Sequence, residues 1–348
     1  MTRRSLRVLL AAAVVVISGL TTPQSAAAQA LTLTGYADFE ALFENVNSDN
    51  SKFYFDNHHV NFIAVGKITG DLFAAAEVEY EHAGEEVALE YGYLGFTGIK
   101  DVRIIAGKFI VPFGRFNKDL HPTPVNKLPG RPLGFSEILP QTYNDVGLWV
   151  NGAKALNDDN RFVFDLFMVN GLLGGDGDGI RSLRDNDREK AEFGSDDNKA
   201  VGGRIGLEFP FVGFDIGGSV YTGKYAQDAA DNSLNLTLVG VDASFQKEGF
   251  VLRGELVRAS QEATGGKLTK TGGYLQASYM ATPRFEPVVR FSARDMPSES
   301  SDASRLGIGL NYHIAAAGIV RVAYLLNMEK ETFKKDNNGI VTQFTVFF

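Results

Sequence analysis

Hydrophobic residues recur at every second position along most of the chain. In "GIVRVAYLLNME", Val320, Val322, Tyr324, Leu326 and Met328 share one face, while Arg321, Ala323, Leu325, Asn327 and Glu329 share the other. "FEPVVRFSAR" sets Pro287, Val289, Phe291 and Ala293 against Glu286, Val288, Arg290, Ser292 and Arg294. "SRLGIGLNY" sets Leu306, Ile308, Leu310 and Tyr312 against Arg305, Gly307, Gly309 and Asn311. A period of two is that of a β-strand with one apolar and one polar or small face. Sixteen segments carry it: 31–45, 52–67, 72–82, 86–97, 101–111, 142–154, 161–170, 199–209, 212–224, 233–246, 250–261, 268–281, 285–295, 303–314, 318–329 and 339–348. Strong helical periodicity is hard to find.

The connections alternate in length. Tight turns follow the even segments: "TGD" at 69–71, "GIK" at 98–100, "NDDN" at 157–160, "PF" at 210–211, "KEG" at 247–249, "TPR" at 282–284 and "AAA" at 315–317. Mostly longer, charged connections follow the odd ones, the longest being 112–141 and 171–198. A soluble sandwich gives no reason for this asymmetry, whereas a transmembrane barrel does, with short periplasmic turns and long outer loops. The fold expected is therefore all-β: a transmembrane antiparallel β-barrel of 16 strands, its termini on the periplasmic side. A bilayer leaves no water for unpaired backbone groups, so such a sheet closes on itself, apolar face outward. The ending "VTQFTVFF", with Phe344, Val346 and Phe348 on one face, resembles the terminal strand of bacterial outer-membrane barrels. A buried strand of a soluble β protein is the plainer alternative. Tyr54, Tyr80, Tyr91, Tyr279 and Tyr312, near strand ends, fit an interfacial girdle or ordinary strand propensity.

The first thirty residues stand apart. Arg3, Arg4 and Arg7 precede the apolar run "VLLAAAVVVISGL", and "AQA" at 28–30 fits a cleavage site. This predicts a signal peptide at 1–30 and a barrel domain at 31–348; a membrane helix fits less well, the run being short and followed by "TTPQS". Losing the three leader arginines takes the net charge from −8 to −11, which argues against nucleic-acid partners. The chain has no cysteine, which excludes a disulfide framework and thiol chemistry. Mean hydropathy of −0.08 fits strands that are half polar.

Against this acidity, "AGKFIVPFGRFNKDLHPTPVNKLPGRPLGF" is basic. Between Lys108 and Arg131 it holds Lys108, Arg115, Lys118, Lys127 and Arg131 against Asp119 alone, with four prolines that stiffen it. A 16-strand barrel leaves an aqueous lumen, and the expectation is that this loop, after the fifth strand, folds inward as a constriction. Its cations would then set a potential attractive to anions, and His121 within it reads either as a group that tunes pore charge or, more simply, as a structural one.

"AGKFIVPFGRFN", followed by "HPTP" and "RPLGF", resembles the phosphate-selective porin family (the O and P porins) and related outer-membrane porins, as does "GDGDGIRSLRDNDREK…VGGRIG". The resemblance implies a sixteen-stranded channel for anions or small hydrophilic solutes, usually a homotrimer embedded in outer-membrane lipid. Phosphate preference does not follow automatically, because the named members depend on dense inward rows of arginine and lysine and this chain is more acidic.

Alternation nominates Lys108, Arg204, Arg253, Arg290, Arg294, Arg305 and Arg321 as inward cations, and Glu77, Glu79, Glu81, Asp145, Asp165, Asp215 and Glu255 as inward acids. Three glutamates in "AEVEYEH" form an acidic wall that would face the basic loop; the same charges could instead merely keep the lumen wet. Other motifs carry less. "GGDGDG" at 174–179 resembles one calcium-binding turn but reads equally as a solvated segment. His58 and His59 are adjacent, so on a regular strand only one looks inward, which disfavours a shared metal. No cofactor or metal is expected. The five histidines form no pattern with a serine, so no enzyme is expected. The alternative function is a structural or adhesive barrel without an open pore.

Overall fold

The computed structural model describes residues 30–46, 49–135, 138–140, 142–174, 180–181, 199–225, 234–263, 266–298, 301–333, 335 and 337–348. The leader reading, and the calcium-turn reading beyond Gly174, lie outside the described residues. So does most of the second resembling stretch.

Residues 31–348 form one compact unit. Its strands are β1 (Leu31–Glu44), β2 (Lys52–Lys67), β3 (Leu72–Glu81), β4 (Glu86–Ile99), β5 (Val102–Ile110), β6 (Asn144–Ala155), β7 (Arg161–Val169), β10 (Ala200–Phe209), β11 (Phe214–Tyr225), β12 (Leu234–Lys247), β13 (Phe250–Ala263), β14 (Gly266–Tyr279), β15 (Phe285–Asp295), β16 (Ala303–Ala315), β17 (Gly318–Met328) and β18 (Gly339–Phe347). Each pairs antiparallel with its neighbours, and β1 pairs with β18, closing a sixteen-stranded barrel. Two short strands, β8 (Leu173–Gly174) and β9 (Ile180–Arg181), form a separate ribbon. All sixteen alternating segments are barrel strands.

Closure removes the free sheet edges. At the seam, the Gly35 N–H donates to the Phe348 carbonyl at 2.8 Å, and the Phe348 N–H returns to the Gly35 carbonyl at 3.0 Å. The tight turns are built from their own polar residues. Asn157 Oδ1 accepts the N–H groups of Asp159 and Asn160 at 3.0 and 2.8 Å. Thr282 Oγ1 accepts those of Arg284 and Phe285 at 3.2 and 3.1 Å. Short polar side chains do this readily, which is why they punctuate strands.

Outward side chains such as Leu148, Leu166, Met168, Ile205, Leu256, Leu275 and Ile308 are 49–59% exposed. An apolar belt of this extent exceeds what a water-soluble surface normally carries. Tyr54, Tyr80 and Tyr279 are exposed as well. Tyr91 departs from the girdle reading: it stands opposite Glu77 across the ladder and reaches that carboxylate.

Candidate functional site

The described residues of 111–143, between β5 and β6, lie inside the barrel and bond to side chains from much of its circumference. The entry is a sharp bend. Gly114 has φ of +66°, a conformation that favours glycine, and a Cβ there would fall 1.8 Å from Glu255 Oε1. Gly114 N–H donates to Ser219 Oγ on β11 at 2.9 Å. The buried Glu255 carboxylate on β13 accepts the N–H groups of Arg115 and Phe116 at 3.1 and 2.8 Å, at the start of a single π-helical turn, Phe116–Leu120. Asn117 then ties the turn to the loop's exit, donating to the Val111 and Tyr143 carbonyls at 2.8 and 3.0 Å.

Apolar packing completes the anchorage. Phe113, Phe116, Phe135, Ile138, Leu139 and Tyr143 of the loop are buried in one cluster with inward residues of β5–β7 and β10–β14. The alternation reading gave every strand a polar interior face; here Tyr221, Leu236, Leu238, Val257, Ala259 and Tyr274 point inward instead. They meet a protein partner, the loop, and bury area against it as any core does. Glycines on the wall make room: a Cβ on Gly309 would sit 2.4 Å from Leu128 Cδ2, and one on Gly272 would sit 2.7 Å from Ile138 Cδ1.

The loop's cations serve the same anchorage. Lys118 Nζ meets Asp165 Oδ2 on β7 at 2.7 Å, Arg115 pairs with Asp215 on β11, and Lys127 pairs with Glu286 on β15. Arg131 donates to Thr142 Oγ1 at 2.8 Å, and His121 Nδ1 lies 2.7 Å from the Asn117 carbonyl oxygen. From the wall, Arg290 donates to the Gly130 carbonyl at 3.1 Å, and Arg321 donates to Gln343 Oε1 at 3.0 Å and Thr345 Oγ1 at 2.9 Å. Lys108 does not join this set. It stands opposite the outward Val146 and donates to the Leu89 carbonyl, so its register is that of the outer face.

The acidic wall on β3 is braced rather than opposed to the loop's cations. Asn61 Nδ2 donates to Glu77 Oε1 and Glu79 Oε2 at 2.7 and 2.8 Å, and Glu81 Oε1 lies 3.1 Å from His59 Nε2. Arg204 makes a bidentate pair with Asp242, at 2.9 and 2.5 Å.

Two interior cavities flank the loop. One of about 410 Å³ lies between loop residues 121–133, the β1–β3 wall and the β15–β18 wall. Its charged lining is unevenly divided, with Arg131, Arg294 and Arg305 on the loop and β15–β16 accompanied by Glu329 just past β17, and Glu79 beside His58 and His59 on β2–β3. Arg294 Nε donates to the Ser301 carbonyl at 2.8 Å, and Arg305 Nε to Asn327 Oδ1 at 2.6 Å. The second cavity, about 250 Å³, holds Arg115, Lys118, Asp165, Arg204 and Asp215.

His58 and His59 overturn the simple alternation argument. The β1–β2 register shifts between Asp38 and Glu40: Asp38 pairs with His59, and Glu40 pairs with Asp56. The extra β2 residue is a bulge, which re-aims side chains. The two imidazoles consequently lie on the same side, with ring centroids 3.9 Å apart. Sequence reasoning also missed Asp38, Glu40, Asp242 and Glu286 as lumen acids. Asp38 and Glu40 were detectable, since with Tyr36 they form the polar alternate of "GYADFEAL". Thr123 Oγ1 approaches His59 Nδ1 at 3.4 Å, but Asp38 Oδ2 holds that same nitrogen at 3.0 Å. The three therefore do not form a hydroxyl–imidazole–carboxylate relay, which needs one partner on each ring nitrogen.

No protein-family model and no curated protein matches the sequence. Solved structures do match, and the class they share is the porin-type barrel. An anion-selective porin from Comamonas acidovorans aligns with a TM-score of 0.67 at 12% identity, covering 92% of this chain and all of the porin. Salmonella typhi OmpF, in complex with daunomycin, gives 0.64 at 14% identity, covering 91% and 97%. In-vitro folded OmpT of Vibrio cholerae, an outer-membrane protein in its trimer form, gives 0.62 at 9% identity, covering 92% and 100%. At these identities the likeness is one of fold.

Proposed function

We propose that the protein is a bacterial outer-membrane porin, exported with cleavage near residue 30, that lets small hydrophilic solutes or ions diffuse passively through a water-filled channel. The observation that carries the reading is the 410 Å³ cavity between the inward loop and the β1–β3 and β15–β18 walls, with three arginines against a single carboxylate, Glu329, toward one edge and a carboxylate–imidazole cluster at the other. Opposed charges across a narrow aqueous space orient polar solutes and disfavour apolar ones. The exposed apolar belt supports a lipid surround, with no water-soluble state required. Homotrimeric assembly is part of the proposal, by analogy with the trimer form of the Vibrio cholerae neighbour. No catalytic step is assigned.

The phosphate or anion preference implied by the resemblance has a different basis from a uniformly basic loop. Arg115, Lys118 and Lys127 are paired with wall carboxylates, so the preference rests on Arg131, Arg294 and Arg305, which line the cavity. The second reading, a barrel without an open pore, draws on the apolar cluster that fills the β5–β14 side of the interior. Planar-bilayer recording of the purified protein distinguishes the two. Stepwise, ohmic conductance supports the channel; a silent bilayer with correctly folded protein supports the closed barrel.

A further inference from the structure

Three of the chain's five histidines, His58, His59 and His82, gather at one place on the interior wall. The β2 bulge brings His58 and His59 to the same side of the sheet, beside Asp38 on β1. His59 Nδ1 lies 3.0 Å from Asp38 Oδ2. His58 Nδ1 lies 3.2 Å from Glu40 Oε1 and 3.8 Å from Asp38 Oδ1. Closed off from solvent, that nitrogen makes no hydrogen bond among the described residues, although two carboxylates face it. An imidazole nitrogen converging with two carboxylates and making no hydrogen bond to either is an arrangement that a cation completes.

We propose that Asp38, His58 and His59 form a binding site for a first-row divalent cation of the zinc type, with the fourth position left to water or solute. The donor set is imidazole and carboxylate, which suits zinc and its neighbours and not magnesium. Bond lengths of 2.0–2.2 Å place tetrahedral donors about 3.3 Å apart; Asp38 lies 3.0 Å from His59 Nδ1 and 3.8 Å from His58 Nδ1, and one donor atom from each of the three residues lies within 4.8 Å of the others, so a small side-chain adjustment closes the set on a metal. The surroundings have the expected outer layer. With Nδ1 turned to the metal, His59 presents Nε2–H to Glu81 Oε1 at 3.1 Å, the carboxylate–histidine–metal arrangement that fixes ring orientation and tautomer. Asp38 is positioned by the His59 backbone N–H, which donates to Oδ1 at 3.1 Å. An entry path exists, because His58 and His59 both line the 410 Å³ cavity. If the channel reading holds, a bound dication adds positive charge at the cavity's acidic edge.

Calorimetric titration of the folded, detergent-solubilised protein with zinc chloride tests the site whether or not the barrel conducts. The expected result is saturable binding at one site per chain, with no comparable heat from magnesium chloride. Zinc X-ray absorption should show two imidazole nitrogens at about 2.0–2.1 Å. Asp38→Asn and His58→Gln should each abolish the site, and Glu81→Gln should weaken it about tenfold, with heat-modifiable gel migration confirming that each variant folds. Absence of saturable zinc binding overturns the proposal. So does unchanged affinity in folded Asp38→Asn and His58→Gln proteins.

Discussion

The barrel interior has two unlike halves. Along β5–β7 and β10–β14 an apolar cluster fills much of it, Phe113, Phe116, Phe135 and Ile138 of the loop packing on Tyr221, Leu238, Val257 and Tyr274, beside the smaller charged cavity. Along β1–β3 and β15–β18 it is polar, with Asp38, Glu40, Glu77, Glu79 and Glu81 on one arc and Arg290, Arg294 and Arg305 on another. The same loop borders both. The difference shows that a basic loop does not by itself define a basic channel. Its charges can be consumed in fastening it, Arg115 to β11, Lys118 to β7 and Lys127 to β15, leaving the other charges around the cavity to set the field.

The largest effect should come from the apolar cluster. Phe116→Ala removes a buried ring that packs edge-on against Phe135 and Tyr274, with centroids 5.4 and 5.7 Å away. Truncating a packed phenylalanine costs about 3–5 kcal/mol. The apparent unfolding temperature in detergent should fall, and single-channel conductance should rise as the loop loosens; if neither moves, the loop is not held by this cluster.

Glu255→Gln is the next step down. The buried Glu255 carboxyl accepts two backbone N–H groups, and each such bond contributes about 0.5–1.5 kcal/mol. The amide keeps the shape but brings a buried NH2 donor into the site, so the expected loss is about 1–3 kcal/mol. Increased protease cleavage within residues 111–143, with the barrel intact, would report it; cleavage at the wild-type rate would remove Glu255 from the account. A similar magnitude, about 1–3 kcal/mol for overpacking, is expected for Gly309→Val, which pushes Leu128 off its seat. Leu128→Ala in the same chain should restore part of it; a full loss with no restoration would place the strain elsewhere.

These contrasts explain what the sequence made legible. Strands were readable because a period of two is local, and the tight turns name themselves through Asn157 and Thr282. The charges of the loop were readable too, but their partners were not. Arg115 meets Asp215 a hundred residues later, and Lys127 meets Glu286 farther still. Such pairings depend on which strand lies opposite the loop, which no local pattern states. The histidine pair was misjudged for a related reason: one bulge changes the face of every residue beyond it. Two signals were present and underused. Gly307 and Gly309, at alternate positions of β16, marked a close approach of other chain, and inward-register leucines in β12 marked a protein partner inside the barrel.

The smallest effect is the most informative one. Removing both members of each fastening pair (Arg115→Gln with Asp215→Asn, Lys118→Gln with Asp165→Asn, Lys127→Gln with Glu286→Gln) leaves net charge unchanged. The three cations are 18–29% exposed, and the amides keep the shape and hydrogen-bonding capacity of each pair, so the loop should hold its place. The ion preference should therefore stay where it was. A second variant, Arg131→Gln with Arg294→Gln and Arg305→Gln, removes only cations that line the cavity. The Debye length is about 10 Å at 0.1 M salt, so this field is best read in dilute potassium chloride. The decisive measurement is the bilayer reversal potential of both variants across a potassium chloride gradient. The account predicts a wild-type value for the six-fold pair variant and a clear shift toward potassium for the three-arginine variant. A shift in the first with none in the second would show that the loop's fastened cations, and not the opposing walls, set the field.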